Sequence, residues 1–376
     1  MPESGGAEER GVVGEVTVGA SFSLTGRYAL QGRQAAAGLR FWAAEANAWG
    51  GLPLGPEARR AVRVVIHDDG SRAAGLEVNL ARLQDRDGAD ILFGPYGSDL
   101  ALRAVRLVAA RHRVLWNHGG ASDAVAAAGP QAVVTGIAPA SAYFASLPAL
   151  LRQREPGLDR LAILHGAAGT FGCHVAAGAA AAAREAGLEY VATFPFTLPL
   201  ADRPDALAAV RAWRPRAAIC AGRFEDDVWL AARRDRLGPD CCVLAAVAAG
   251  LGAFGAAAGP AAEGVLGASH WEPPTTAEQD AHPGGAGFAA RYARVHDSLP
   301  EYPAALSYAM GTALAACAAR AGALDEHALR RAALEAEFPT ILGRFRLDPA
   351  TGRQVGYRPV AVEWCGGRKR VVAPAP

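Results

Sequence analysis

Two stretches place polar groups where a small molecule could be held. FSLTGRYALQG at 22–32 lies between an alternating apolar run and an Ala-rich stretch, so it sits where a strand hands over to a helix. In an open α/β sheet, ligands bind in the crevice beyond the carboxyl ends of the strands, beside helix ends with free backbone N–H groups. The stretch therefore reads as a lip of such a site, or as an ordinary turn in which Gly26 relaxes the backbone. In GPYGSDLALRAV, Ser98 opens a predicted helix over 98–111, and its hydroxyl with the first N–H groups suits a carboxylate or an amide carbonyl. The same Ser98 also serves as a plain helix cap.

Catalytic constellations are missing. The chain has no GxSxG elbow, Walker A loop, GxGxxG or HExxH, and HGG at 118–120 has no nucleophile elbow to complement. His67, Asp68 and Asp69 are adjacent on a predicted strand, where alternate side chains point to opposite faces, which spoils a single metal site. The expectation is a binding protein without metal, cofactor or catalytic residue.

The elements that would carry such a site follow from patterning. Strand-like runs at 16–20, 62–67, 90–94, 113–117 and 132–136, then at 160–166, 189–196, 216–222, 241–247 and 264–269, alternate with helical stretches. The helices are expected at 32–48, 73–86, 98–111, 141–153, 173–186, 203–213 and 225–237. That order predicts parallel sheets built from right-handed βαβ units. Helices at 286–298, 304–321 and 325–336 follow, and the segments ILGRFRLD, GYRPVAVEWC and RKRVVAP then predict antiparallel strands added to a parallel sheet. At 376 residues the chain exceeds what one core usually supports, so two domains are expected.

Charge is balanced, with 38 Lys and Arg against 37 Asp and Glu, which argues against a nucleic-acid partner and against attraction to anionic lipid. The six Cys have no CxxC or Cys/His spacing, so neither a disulfide framework nor a zinc site is expected. No apolar run is long enough to span a bilayer, so no membrane insertion is expected. MPESGGAEERGVVGE lacks the basic and apolar regions of a signal peptide. With Met1 as the native start, a cytoplasmic location is expected, and an upstream signal would instead make the protein periplasmic or a cell-surface lipoprotein.

Several segments, in order, resemble the type I periplasmic binding fold, specifically the branched-chain amino acid and amide/urea-binding group of solute-binding proteins. VGASFSLTGRYALQGRQAAAGLRFWAAEANAWGGL is similar to the family's opening strand, Leu-Thr-Gly loop and first helix. VRVVIHDDGSRAAGLEVNLARL resembles the second strand with its Asp-Asp ending, DILFGPYGSDLALRAV the Gly-Pro-x-x-Ser turn, and AAEGVLGASHWEP the Glu-Gly-Val return strand. The resemblance implies an α/β fold of two Rossmann-like lobes joined by three crossovers, one comprising 14–137 with 267–342 and the other 138–266 with 343–376. The lobes would close on a small solute for an ABC permease. A ligand sensor acting on a regulatory protein partner is the alternative, and an α/β enzyme a third class.

By the same resemblance, Ser98, with Gly120 and Ser122 in NHGGASDAV, meets the ligand, and Tyr96 takes an aromatic position beside it. Phe171 in HGAAGTFGCH stands at a Tyr-Gly position, and Arg223 with Phe224 matches a loop of the second lobe. His270 and Trp271 follow a strand near the hinge and are expected as walls. Amino-acid binders of the group usually carry an acid after the next strand for the ammonium, and VLAAVAAGLGAF has none. A buried ammonium without an anion is disfavoured, and Arg223 favours an anionic or carbonyl-bearing ligand. An amide, a urea-like compound or a small carboxylate, aromatic ones included, is expected over leucine or valine, unless Glu225, Asp226 or Asp227 substitutes for the missing acid.

Overall fold

The computed structural model describes residues 14–56, 58–273 and 287–373. The first half alternates β1 (Glu15–Phe22), α1 (Ala29–Ala48), β2 (Leu52–Leu54), β3 (Ala58–Asp68), α2 (Ala73–Asp85), β4 (Ile91–Phe93), α3 (Ser98–Ala109), β5 (Leu115–Asn117), α4 (Ala124–Ala128) and β6 (Val133–Thr135). These strands form one six-stranded sheet in the order β2-β3-β1-β4-β5-β6, parallel except for the β2–β3 pair. From Val16 to Phe22, β1 is buried on both faces, as a central parallel strand covered by helices must be.

The chain continues through α5 (Leu147–Arg154), β7 (Arg160–Gly166), α6 (Phe171–Glu185), β8 (Tyr190–Phe196), α7 (Pro204–Trp213), β9 (Ala217–Ala221), α8 (Phe224–Ala231), β10 (Val243–Ala246), α9 (Gly252–Ala258) and β11 (Leu266–Ser269). It then returns to the first sheet with α10 (Phe288–His296), α11 (Tyr302–Ala321) and α12 (Glu326–Glu335), adds the ribbon β12 (Glu337–Thr340) with β13 (Gly343–Arg346), and ends on β14 (Val360–Cys365) and β15 (Arg368–Ala373). The second sheet has the order β15-β14-β11-β10-β9-β7-β8, with β14 and β15 antiparallel at its edge. The molecule is therefore two α/β lobes, and the chain passes between them after β6, after β11 and before β14.

The helices α1 and α11 cover one face of the first sheet at very close range. A Cβ at Gly38 would fall 2.1 Å from the Ala304 carbonyl oxygen, and one at Gly311 would fall 2.2 Å from the Trp42 ring. The opposite face is covered by α2 and α3, through Leu76, Leu80, Leu83, Leu100 and Val105.

Three expectations are corrected. The stretch 141–153 is a 3-10 turn at Ala140–Ala142 followed by α5, because Pro148 is admitted only in the first turn of a new helix. The stretch 225–237 likewise ends as a helix at Ala231 and resumes as a 3-10 turn. ILGRFRLD does not join the second sheet: its strand pairs with β12 in a separate ribbon, where Phe338 and Phe345 stack at 4.9 Å. The helix expected from 286 begins at Phe288, and residue 286 lies outside the described residues.

Candidate functional site

The carboxyl ends of both sheets face one another across a cleft of about 360 Å³. The first lobe contributes Arg27, Tyr28, Gln31, Tyr96, Ser98, Asp99, Ala121 and Tyr302. The second wall is built from Phe171, Arg223, Phe224, Glu225 and Asp227, from Tyr143 next to the first crossing, and from small residues such as Gly166, Gly169, Gly172 and Gly222.

The loop that presents Tyr28 and Gln31 is tied down by the Asp68–Asp69 pair. Asp68 accepts from the Leu24 N–H at 2.8 Å, the Thr25 N–H at 3.2 Å and the Thr25 hydroxyl at 2.7 Å. Burial would raise its pKa, but these bonds and the Gly70 N–H hold the carboxyl below the ordinary Asp range. Asp69 points the other way and accepts from the Ser23 hydroxyl at 2.6 Å, and burial pushes its pKa up. His67 goes to Asp87 at 2.6 Å, so the three neighbours serve three separate sets of partners rather than one site. With the loop fixed, Arg27 lies over the Tyr28 ring at 4.4 Å, and Tyr28 meets Tyr96 edge-on at 5.9 Å. The Tyr96 and Tyr302 hydroxyls are 2.9 Å apart. Gln31 is 6% exposed, and its Oε1 has no partner among the described residues.

Ser98 starts α3 immediately after Gly97, whose φ of +95° makes the tight entry that a side chain would strain. Its oxygen accepts from the Ser122 N–H at 2.9 Å, which leaves the hydroxyl proton to give. The Ser122 hydroxyl does not line the cleft. It crosses to the second lobe, 2.7 Å from the Thr170 hydroxyl and 2.9 Å from Nδ1 of His174.

The helix start opposite, at α8, is differently furnished. Asp226 accepts from the Leu200 N–H and, at 3.0 Å, from the Arg223 N–H. Asp227 accepts from the Gly222 N–H at 3.1 Å and the Ala248 N–H at 2.8 Å. Burial pushes the Asp227 carboxyl up to about 7. Both oxygens of Asp227 are therefore occupied by backbone donors. The other acids of the cleft, Asp99 and Glu225, are exposed at its edge.

Of the residues singled out in the sequence, Tyr96, Ser98, Phe171, Arg223 and Phe224 lie together on this cleft, with the exposed Arg223 at its rim. Gly120, Ser122, His270 and Trp271 are not on its lining. Gly120 is turned toward the body of the lobe, where its N–H bonds to the Asn117 side chain at 2.8 Å. His270 stands behind Tyr143 and Tyr302, with ring centroids at 4.9 and 5.4 Å, and Trp271 packs edge-on against Phe288 at 5.4 Å in the core. Arg27, Tyr28, Gln31, Tyr143 and Tyr302 line the cleft without having been named as site residues. The first three belong to the 22–32 stretch already read as a lip.

The periplasmic binding protein family model matches residues 15–362. Solved structures similar to this chain include a leucine binding protein from Thermotoga maritima, with a TM-score of 0.81 at 18% identity over 95% of this chain and 98% of that one. A solute binding protein of an ABC transporter from R. palustris, in complex with benzoate, aligns with a TM-score of 0.76 at 19% identity over 96% and 97% of the two chains. The branched-chain amino acid transporter substrate binding protein from Streptococcus pneumoniae, in complex with isoleucine, gives 0.76 at 17% identity over 96% and 100%. With two α/β lobes, three chain crossings between them and a cleft at the facing strand ends, the chain belongs to the periplasmic binding protein family.

Proposed function

We propose that the chain captures a small carboxylate with an aromatic body between its lobes and delivers it to an ABC permease. The carrying observation is the division of charge in the cleft. The one buried carboxyl on its lining, Asp227, already accepts two backbone N–H groups. Burial that raises it to about 7 keeps it largely protonated below that pH, so an amino-acid ammonium finds no fully charged buried anion among the described lining residues. Tyr28, Tyr96, Tyr302, Tyr143, Phe171 and Phe224 offer ring faces and edges to a flat body, while the start of α3 with the Ser98 hydroxyl suits a carboxylate head. The relative in complex with benzoate supports this class, and the leucine binding protein and the relative in complex with isoleucine support the competing one. The named relatives lend nothing to the sensor reading with a regulatory partner, and the non-catalytic reading rests on the family.

A thermal-shift panel of benzoate, leucine, isoleucine and benzamide tests the proposal. A ligand that binds only the folded chain stabilises it by about 2.7 kcal/mol at a hundred times its Kd. Benzoate is expected to raise the melting temperature most, and a larger shift with leucine or isoleucine overturns the reading in favour of Glu225 or Asp99 as the ammonium partner. Permease and ATPase genes beside the coding sequence support import, and their replacement by a regulatory operon supports the sensor.

A further inference from the structure

Each of the three segments that link the lobes sends one group to a single buried point. Ala138 follows β6, His270 follows β11 and Tyr357 precedes β14. The Tyr357 hydroxyl accepts the Ala138 N–H at 3.0 Å and lies 3.2 Å from Nδ1 of His270. The Tyr357 hydroxyl can accept from the backbone amide and also share a hydrogen bond with Nδ1, whichever of the two supplies the proton. Tyr357 and His270 are 8% and 3% exposed, and neither lines the cleft. His270 nevertheless packs against Tyr143 and Tyr302, which do line it, and Tyr302 in turn shares a hydrogen bond with Tyr96.

We propose that Tyr357 and His270 are positioning residues that tie the three crossings to the tyrosine wall, so that the Tyr357 hydroxyl sets how long a ligand is held without touching it. The argument is steric and directional. Closing two lobes on a ligand turns backbone angles in the crossings, while the walls must stay in register. A donor–acceptor relay joining all three crossings makes them turn together, and the His270 ring carries their position to Tyr143 and Tyr302. The clause on ligand retention rests on the capture reading, whereas the coupling of the three crossings does not.

Hydrogen exchange on the protein alone and benzoate dissociation kinetics test the two parts separately. Tyr357→Phe removes one oxygen and is expected to speed exchange at 136–139, 268–271 and 355–359 together by about five- to tenfold, as the loss of one buried hydrogen bond would. Benzoate dissociation should accelerate by a similar factor with little change in association rate. His270→Asn keeps a hydrogen-bonding group near the place of Nδ1, so it should hold exchange close to the parent at 136–139 and 355–359, whereas His270→Leu should not. Faster exchange confined to 355–359, or His270→Asn and His270→Leu behaving alike, overturns the coupling. Coupled crossings with an unchanged dissociation rate overturn the retention role. If the unaltered protein does not bind benzoate, the aromatic-carboxylate reading falls, and the exchange pattern still decides whether the crossings are coupled.

Discussion

Two helices start at the cleft from opposite sides, and they use the same physics for different ends. Both α3 and α8 have backbone N–H groups that their own turns cannot satisfy. At α8 the first turn carries Glu225, Asp226 and Asp227, and the last two accept the N–H of Arg223, just before the helix, and those of Leu200, Gly222 and Ala248 in neighbouring segments. At α3 the first turn has one acid, the exposed Asp99, and Ser98 faces the cleft with a proton to donate. A helix start furnished with acids ties its neighbouring segments together and disfavours an outside anion, and one left with a hydroxyl is open to such an anion. Asp226 and Asp227 thus already have backbone partners, while Glu225 is the exposed acid of the three.

The groups behind the two walls should answer acid in opposite ways, and this is the largest expected effect. His118, behind the first wall and 5.0 Å from Phe22, and His270 are held down to about 3 by burial, against 6.5 in the unfolded chain. Between those values the unfolded chain binds more protons, so their contribution to stability is present at neutral pH and is lost as pH falls through that window. Asp227 has the reverse sign: with a folded value near 7 against 3.8, it costs stability as pH rises through that window. Hydrogen exchange corrected for intrinsic rates should show the first lobe loosening from pH 6.5 downward while contacts around Asp227 tighten. His118→Phe should flatten the response of the first lobe, and loosening of both lobes in parallel breaks the comparison.

Asp226→Ala should destabilise the protein by about 2–4 kcal/mol in urea denaturation, since it strands two backbone donors that a buried carboxylate had satisfied. A loss under 1 kcal/mol would mean that water replaces the carboxylate at α8. Ser98→Ala should cost only about 1 kcal/mol of stability, through the orphaned Ser122 N–H, yet weaken the true ligand by about 1–3 kcal/mol in calorimetry. An unchanged affinity reduces Ser98 to a helix cap and removes the contrast between the two ends. The smallest effect is expected at the rim, where Arg223→Gln should weaken an anionic ligand by under about 1 kcal/mol, and less in high salt, because the side chain is exposed.

The fold was readable because βαβ alternation is a repeated signal: every strand of the parallel core lies within or beside an apolar run. The site was readable where one short segment both makes a turn and supplies the group, as at Tyr96 and Ser98 or Phe171 and Arg223. It was not readable where the position depends on packing between distant segments. Tyr302 is the first residue of an Ala-rich helix, and nothing around it announces a cleft. Tyr143 reaches the wall from a turn that local pattern extends as helix. His270 and Trp271 follow a strand end, as ligand residues do, but the crossing turns both inward, one toward Tyr357 and the other toward Phe288. Ser122 is a hydroxyl in the expected loop, yet its partner is the other lobe.

The seam between α1 and α11 limits how the first lobe can change over evolutionary time. Gly38 rests on the Ala304 carbonyl and Gly311 on the Trp42 ring, so neither glycine can gain a side chain without displacing its neighbour. The first step from either glycine demands that a backbone carbonyl or the Trp42 ring move aside, whereas the Leu and Val contacts of α2 and α3 can exchange one apolar residue for another. Substitutions that retune the cleft are therefore expected among the residues that line it, the helix-end residues Gln31 and Tyr302 included, rather than at the glycines of the seam.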